Sequence, residues 1–369
     1  MARLGDVCIK ETSNIAQKDL DTRDGCYPIY GASGFIKNVD FYHQEKPYIA
    51  IVKDGAGVGR VMKLPAKSSV IGTMQYIIPN EGVSVEYLAY ALEHMNLSKY
   101  YLGAAIPHIY FKDYCNELLP SHTREEQANI SRTLGLVSDL ISLRKQQLSK
   151  LDELVKSRFI EMFGDPTLNP CGWKIVNITE VVGGKVTNGF FAKRDEYIDD
   201  GNVSVLGVAN IVNRMYSKVE DLPRTNGTAL DIQKFEVRYG DMLFCRSSLV
   251  AEGIGKASIV PHDVPPKTLF ECHVIRLPLD LNKCVPEFMQ VLSATDYFRS
   301  QVISQSKTAT MTTIGQDGIL KTMIILPPLE KQKQFLEFVK QTDKSKFEIQ
   351  KSLEKLETLK KALMQKYFG

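Results

Sequence analysis

Residues 330–369 have a copy of themselves in the middle of the chain. With Gln127 set over Gln332, Leu148, Leu151 and Leu154 fall on Leu353, Leu356 and Leu359. Phe163-Gly164 then falls on Phe368-Gly369. The offset is 205 residues throughout (332 − 127, 368 − 163), without a gap. A repeat this long requires the chain to be read as two similar units.

Both copies have the pattern of long helices. Leu134, Val137, Ile141, Leu148, Leu151 and Val155 recur at heptad a/d spacing in the first. Phe335, Val339, Ile349, Leu353, Leu356 and Leu363 do so in the second. A seam of period 3.5 needs a partner helix, and the most economical partner for each copy is the other. The alternative is that each packs on its own domain. Charged residues interrupt both seams, at Arg144, Arg158, Lys346 and Lys360. Each copy begins after proline (Pro120; Pro327-Pro328) and ends at glycine (Gly164; Gly369), the usual start and stop signals.

The 369 residues suffice for two or three domains with real cores. Apolar content of 44% and charged content of 24% are those of an ordinary globular protein. A net charge of +3 means that any nucleic-acid surface must be a local patch. No apolar run approaches about 20 residues and the N-terminus lacks an apolar signal core, so the expected location is the cytoplasm. Seven scattered cysteines include no CxxC pair, which argues for reduced thiols and against a zinc site; no metal is expected.

Taken in order, residues 1–120 read as a mixed α/β domain. Tyr48–Val52 has the short apolar pattern of a buried strand, and Lys53–Arg60 is a glycine-rich loop. Ser69–Ile78 reads as one strand, Val85–Tyr101 as a helix, and Pro107–Tyr114 as loop or strand. The first long helix occupies residues 121–164. Gly164–Gly172 is rich in turn formers and reads as a linker. Residues 165–326 then echo the first domain loosely and in the same order. Val205–Val212 echoes Ile29–Ile36, Asp241–Arg246 echoes the strand ending at Lys53, and Gly253-Ile-Gly-Lys256 echoes Gly57-Val-Gly-Arg60. Leu269–Leu277 is the matching strand and Val285–Leu292 the matching helix. Residues 327–369 form the second long helix. The order is therefore domain, helix, domain, helix. The helices match closely and the domains poorly, so the domains were free to differ.

Gly55-Ala-Gly-Val-Gly-Arg60 fits neither GxxxxGK[ST] nor GxGxxG, because Arg60 stands where the third glycine belongs. It reads as a turn that brings backbone amides and Arg60 near a polyanion. Asn169-Pro-Cys-Gly lacks the aromatic residue of an amino-methyltransferase motif and reads as linker. No nucleophile elbow, metalloprotease or Walker motif occurs, so no catalytic set is expected. Lys53 and Arg246 each end an apolar strand, and either can hold phosphate or a base edge. Arg60, Lys256, Lys193, Arg194 and Lys307 lie in polar loops and complete the candidate DNA contacts. His108 and Tyr110 read as a satisfied histidine and a core tyrosine, with DNA contact as the alternative. Lys351, Lys355, Lys360, Lys361 and Lys366 alternate with Glu354 and Glu357, which favours a solvated face or a partner surface over a DNA patch.

This architecture resembles the specificity subunits of type I restriction–modification enzymes. The marks are Leu-Pro-Pro-Leu-Glu-Lys-Gln332, the looser Leu-Pro-Ser-His-Thr-Arg-Glu-Glu-Gln127, the tail Tyr-Phe-Gly369, and Arg158-Phe-Ile-Glu-Met-Phe-Gly-Asp-Pro166. The first copy departs by two extra residues between Leu119-Pro120 and Gln127. The resemblance implies two target recognition domains joined by two helices in an antiparallel coiled coil. It implies a non-catalytic chain that binds a bipartite, asymmetric double-stranded DNA target, one half-site per domain. Two methyltransferase subunits would dock on it, and restriction subunits would join. S-adenosylmethionine, ATP and Mg would then belong to those partners, leaving this chain without a cofactor. A self-contained methyltransferase and a coiled-coil scaffold without a DNA role are the alternatives.

Overall fold

The computed structural model describes residues 1–101 and 107–369. The chain divides into two compact units, Met1–Gln147 with Ile349–Gly369, and Leu148–Glu348. Each is mixed α/β and contains part of both long helices.

The first unit is built on a four-stranded antiparallel sheet in the order Cys8–Thr12, Met74–Pro79, Tyr48–Val52, Val61–Leu64. Tyr48–Val52 is buried on both faces, which is why it reads as an unbroken apolar run. Ile49 and Ile51 enter one core with Leu88 and Leu92, while Tyr48, Ala50 and Val52 enter another with Met74 and Tyr76. A second sheet centres on Tyr27–Gly31, antiparallel to Gly34–Val39 and parallel to Ser69–Val70. Ala2–Arg3 pairs with Leu118–Leu119.

Three sequence expectations need correction here. Ser69–Ile78 is not one strand: Ser69–Val70 joins the small sheet, Met74–Pro79 joins the large one, and Gly72 N–H donates to the Ile15 carbonyl at the break. The helix Val85–Met95 stops at Asn96, which adopts a left-handed φ of 48°, and Leu97–Tyr100 continues as a 3-10 turn. Phe111–Tyr114 is a single helical turn.

The second unit repeats the plan of both sheets. Its large sheet runs Thr187–Asn188, Val274–Pro278, Asp241–Cys245, Ala257–Ile259. Its small sheet centres on Val203–Leu206, antiparallel to Arg224–Thr225 and parallel to Thr268–Phe270. Lys174–Asn177 pairs with Met323–Leu326 as Ala2–Arg3 does with Leu118–Leu119. The apolar run 269–277 is split between two sheets, as its counterpart is. The central strand again alternates, with Met242 and Phe244 in one core and Leu243 and Cys245 in another.

The long helices are Arg124–Phe163 and Leu329–Phe368, 40 residues each and therefore roughly 60 Å long. Thr123 begins the first with a reciprocal capping pair: its hydroxyl accepts from Glu126 N–H and its own N–H donates to the Glu126 carboxylate. Gly164 ends it at φ 77°. The segment after it is a built turn, tighter than a linker: the Trp173 indole N–H donates to the Phe163 carbonyl, and the Asn169 amide makes two bonds to the Trp173 backbone.

In both units the helices pair antiparallel. In the first, Ile130 and Leu134 share a core with Met364 and Phe368, while Lys145 meets Glu357 at 3.1 Å. In the second, Phe159 lies 5.7 Å from Phe335, Arg158 sits over Phe338, and Asp152 meets Lys346 at 2.6 Å. Of the expected seam residues, Leu134, Val137, Val155, Val339 and Leu353 are buried. Ile141, Leu148, Leu151, Ile349, Leu356 and Leu363 are half-buried, and none is exposed. Lys346 and Lys360, which interrupt the second seam, are accommodated by pairing with carboxylates. Lys360, for example, bonds Glu93 at 2.9 Å and lies over Tyr90. Among the described residues no helix is long and apolar enough to cross a membrane.

Candidate nucleic-acid interface

The candidate cations sit where the central strand of each large sheet leaves the core. In the first unit Val52 is fully buried and Lys53 follows it. The Lys53 carbonyl accepts from Ile109 N–H at 3.0 Å, and its ammonium lies 3.9 Å from the Asp54 carboxylate. The Asp54 carboxylate contacts the His108 ring, and that ring packs 4.1 Å from Tyr110. Tyr110 is 48% exposed, so it is not the core tyrosine that the sequence suggested. Lys112 lies over its ring and covers only one face.

The glycine-rich turn returns the chain to the same strand. Gly59 N–H donates to the Val52 carbonyl, and Val52 N–H donates to the Arg60 carbonyl. Gly59 has φ 83°, and a β-carbon there would lie 2.5 Å from the Ser98 nitrogen, so only glycine closes this turn without strain. Arg60 is thereby held beside the strand end, exposed, with one guanidinium N–H donated to the Ala32 carbonyl at 2.8 Å.

The second unit builds the same corner from different residues. Arg246 follows the buried Cys245, its carbonyl accepts from Ile314 N–H at 3.0 Å, and its guanidinium donates to the Cys272 carbonyl. Gly255 N–H donates to the Cys245 carbonyl, and Cys245 N–H donates to the Lys256 carbonyl, both at 2.8 Å. The Lys256 ammonium reaches the Asn213 side chain at 2.7 Å. It also lines a cavity of about 600 Å³ together with Lys156, Arg214 and Arg299. Burial lowers the Arg299 pKa, and its guanidinium is spent on the Ile254 and Glu252 carbonyls.

Arg246 leads into a three-stranded ribbon that sequence reasoning missed: Ser247–Ser248 pairs with Thr312–Thr313, which pairs with Lys307–Thr308. Its counterpart in the first unit is the single bridge between Asp54 and His108. The ribbon places Lys307 opposite Thr313 and exposes it next to a row of hydroxyls. The loop that carries Lys193 and Arg194 is rooted at the neighbouring turn. Phe190 N–H donates to the Phe270 carbonyl and Phe190 bridges Glu271, while Arg246 N–H donates to the His273 carbonyl. Lys193 and Arg194 are both exposed. Thus Arg246, Lys256 and Lys307 converge on one corner, Lys193 and Arg194 flank it, and Lys53 and Arg60 form the matching corner of the first unit. No single stretch of sequence marks these corners; the echo of Gly57–Arg60 in Gly253–Lys256 was the available signal.

Comparison with known proteins agrees with this duplicated plan. The chain is 24% identical over 355 residues to the type I restriction enzyme MjaVIII specificity subunit of Methanocaldococcus jannaschii, covering 90% of this chain and 81% of that protein. It is 25% identical over 207 residues to the MjaIX specificity subunit of the same organism, covering 50% and 46%. The fold is similar to that of a type I restriction–modification S subunit from M. genitalium, with a TM-score of 0.58 and 13% identity over 100% of this chain and 95% of that one. A chain from a study of complex assembly and conformational transition of the type I R-M system gives a TM-score of 0.52 at 16% identity, covering 99% and 96%. The family model of the type I restriction modification DNA specificity domain matches residues 1–153 and again 170–361, and the chain belongs to that family.

Proposed function

We propose that this chain is the non-catalytic DNA-reading subunit of a type I restriction–modification complex. It binds a bipartite, asymmetric duplex target, one half-site per domain, and docks two methyltransferase subunits; a restriction subunit joins the same assembly. S-adenosylmethionine, ATP and Mg belong to those partners. The observation that carries this reading is the repeated corner: two units of one topology place a cation pair at the same two backbone positions, Lys53 with Arg60 and Arg246 with Lys256, amid otherwise different residues. Two similar heads with unlike surroundings suit a target of two unlike halves. Docking is supported by Leu136, Leu140 and Leu143, which are 60%, 44% and 53% exposed at helical spacing on the first long helix.

The test is to express the chain with its methylating partner in a host lacking other methylation and to sequence the modified bases. The expected outcome is one asymmetric motif of two short parts separated by a fixed gap. Modification without a motif, or a motif of one part only, would refute the proposal.

A further inference from the structure

We infer that each corner divides its labour: the cations common to both units hold phosphates, and the side chains beside them that differ in chemistry read base edges. This rests on the DNA-reading function proposed above and goes further in naming which residues do which.

The two corners can be superposed in logic by their backbone bonds. Ile109 N–H to the Lys53 carbonyl matches Ile314 N–H to the Arg246 carbonyl. Val52 N–H to the Arg60 carbonyl matches Cys245 N–H to the Lys256 carbonyl. Even the tethers correspond: Arg60 reaches Ala32 and Lys256 reaches Asn213, each in the segment that follows the first strand of the small sheet. At both positions the charge is positive in both units. Phosphate contacts fix register and carry no sequence information, so they can be the same in two heads that read different bases.

Beside this constant pair the chemistry changes. Asp54 and His108 occupy the bridge in the first unit; Ser247 and Thr313 occupy it in the second. A carboxylate accepts only, and so suits the cytosine amino group, whereas hydroxyls both donate and accept. The turn is also longer in the second unit, where Lys256 follows Arg246 by ten positions (256 − 246) and Arg60 follows Lys53 by seven (60 − 53). The added length carries Leu249 and Val250, which are 83% and 59% exposed and directly follow the ribbon strand Ser247–Ser248. Apolar side chains held out beside the Ser248 hydroxyl fit a duplex groove, where a thymine methyl is the apolar feature of the base edge.

The experiment uses the complex of this chain with its methylating subunits. Bound duplexes are selected from a randomised pool, and affinity for the recovered sequence is followed against salt. Arg60→Gln and Lys256→Gln should recover the wild-type sequence, weaken binding to all sequences alike, and make the slope of log K against log salt shallower by about one. Asp54→Asn and Leu249→Ser should leave that slope unchanged, and each should relax discrimination about tenfold at one or two base pairs, in different half-sites. For Leu249, replacing thymine by uracil at the affected position should weaken the wild type about fourfold and leave Leu249→Ser unaffected. The division is overturned if Asp54→Asn and Leu249→Ser both retain wild-type discrimination, or if a cation variant recovers a different sequence. If the wild type recovers no sequence at all, the DNA-reading function itself fails and the division falls with it.

Discussion

Gln127 and Gln332 make the same three hydrogen bonds, each in its own unit. The Gln127 carbonyl oxygen accepts from Ser84 N–H at 2.9 Å, and its amide donates to the Gly82 and His122 carbonyls. The Gln332 oxygen accepts from Val285 N–H at 2.9 Å, and its amide donates to the Lys283 and Pro327 carbonyls. Each residue therefore fastens the first turn of a long helix to the loop that begins the domain's main helix. Gln332 is fully buried, so its partners have no water to replace it. Gln332→Leu should orphan three backbone groups and cost the second unit about 2–4 kcal/mol; Gln127→Leu should do the same to the first. Denaturant unfolding followed by peptide-resolved hydrogen exchange would show it. A loss under about 0.5 kcal/mol would mean that the bonds are decorative.

Phe163 and Phe368 end the two helices in cores dominated by residues far away in sequence. Phe163 packs 4.9 Å from Phe288, and Phe368 packs 5.3 Å from Tyr87. The first domain's core is thus completed by the last residues of the chain, with Met364 and Phe368 beside Leu88 and Leu134. Phe368→Ala should cost about 3 kcal/mol, raise exchange in peptides covering Tyr48–Val52, and leave those covering Asp241–Cys245 as they were. Phe163→Ala should show the opposite pattern. Equal loss in both sets of peptides would contradict the assignment of each helix end to one core.

The heptad spacing of Leu353 and Val155 was enough to expect a buried seam, and the echo of Gly57–Arg60 in Gly253–Lys256 was enough to expect equivalent turns. What the spacing did not reveal was the core that Phe368 enters. A period fixes which face of a helix is apolar but not what covers it. Ser69–Ile78 reads as one strand because the pieces on either side of Gly72-Thr73 are both buried, and one glycine does not show that the chain changes sheet there. The ribbon of Ser247, Thr313 and Lys307 was invisible for another reason. Its strands are two residues long, and Ser247–Ser248 joins the Lys307–Thr313 hairpin across about 65 positions, so only the folded chain completes it. Tyr110 differs from its sequence expectation because an aromatic ring among apolar neighbours looks the same whether it packs inward or lies under a lysine.

The exposed stripe of Leu136, Leu140 and Leu143 gives a separable test of docking. None of the three belongs to the buried seam, so Leu140→Asp should leave helix content and unfolding midpoint within about 0.5 kcal/mol of wild type. If a partner covers this face, the same change should abolish co-purification with the methylating subunit. Retained assembly would move the docking surface elsewhere.

Glu287 makes the stability of the second unit depend on pH. It lies in the first turn of the helix Pro286–Ser293 and is 3% exposed. The Tyr216 hydroxyl donates to one carboxylate oxygen at 3.0 Å, and the other oxygen has no partner among the described residues. Burial raises its pKa above the usual carboxylate value, and the opposing pull of its own backbone N–H, Tyr216, Lys340 and His262 is too weak to cancel this. Asp343 is raised in the same way, with Lys346 opposing. A carboxyl whose pKa is higher folded than unfolded favours the fold while protonated, so its contribution is complete below the ordinary value and is lost as pH rises through the raised one. The second unit should therefore weaken from mildly acid pH upward, and Glu287→Gln should remove part of that slope. We expect the variant to melt about 3 °C higher than wild type at pH 8 and within about 1 °C of it at pH 4. A variant less stable than wild type at pH 8 would show instead that Glu287 is ionised and held in the fold by its neighbours.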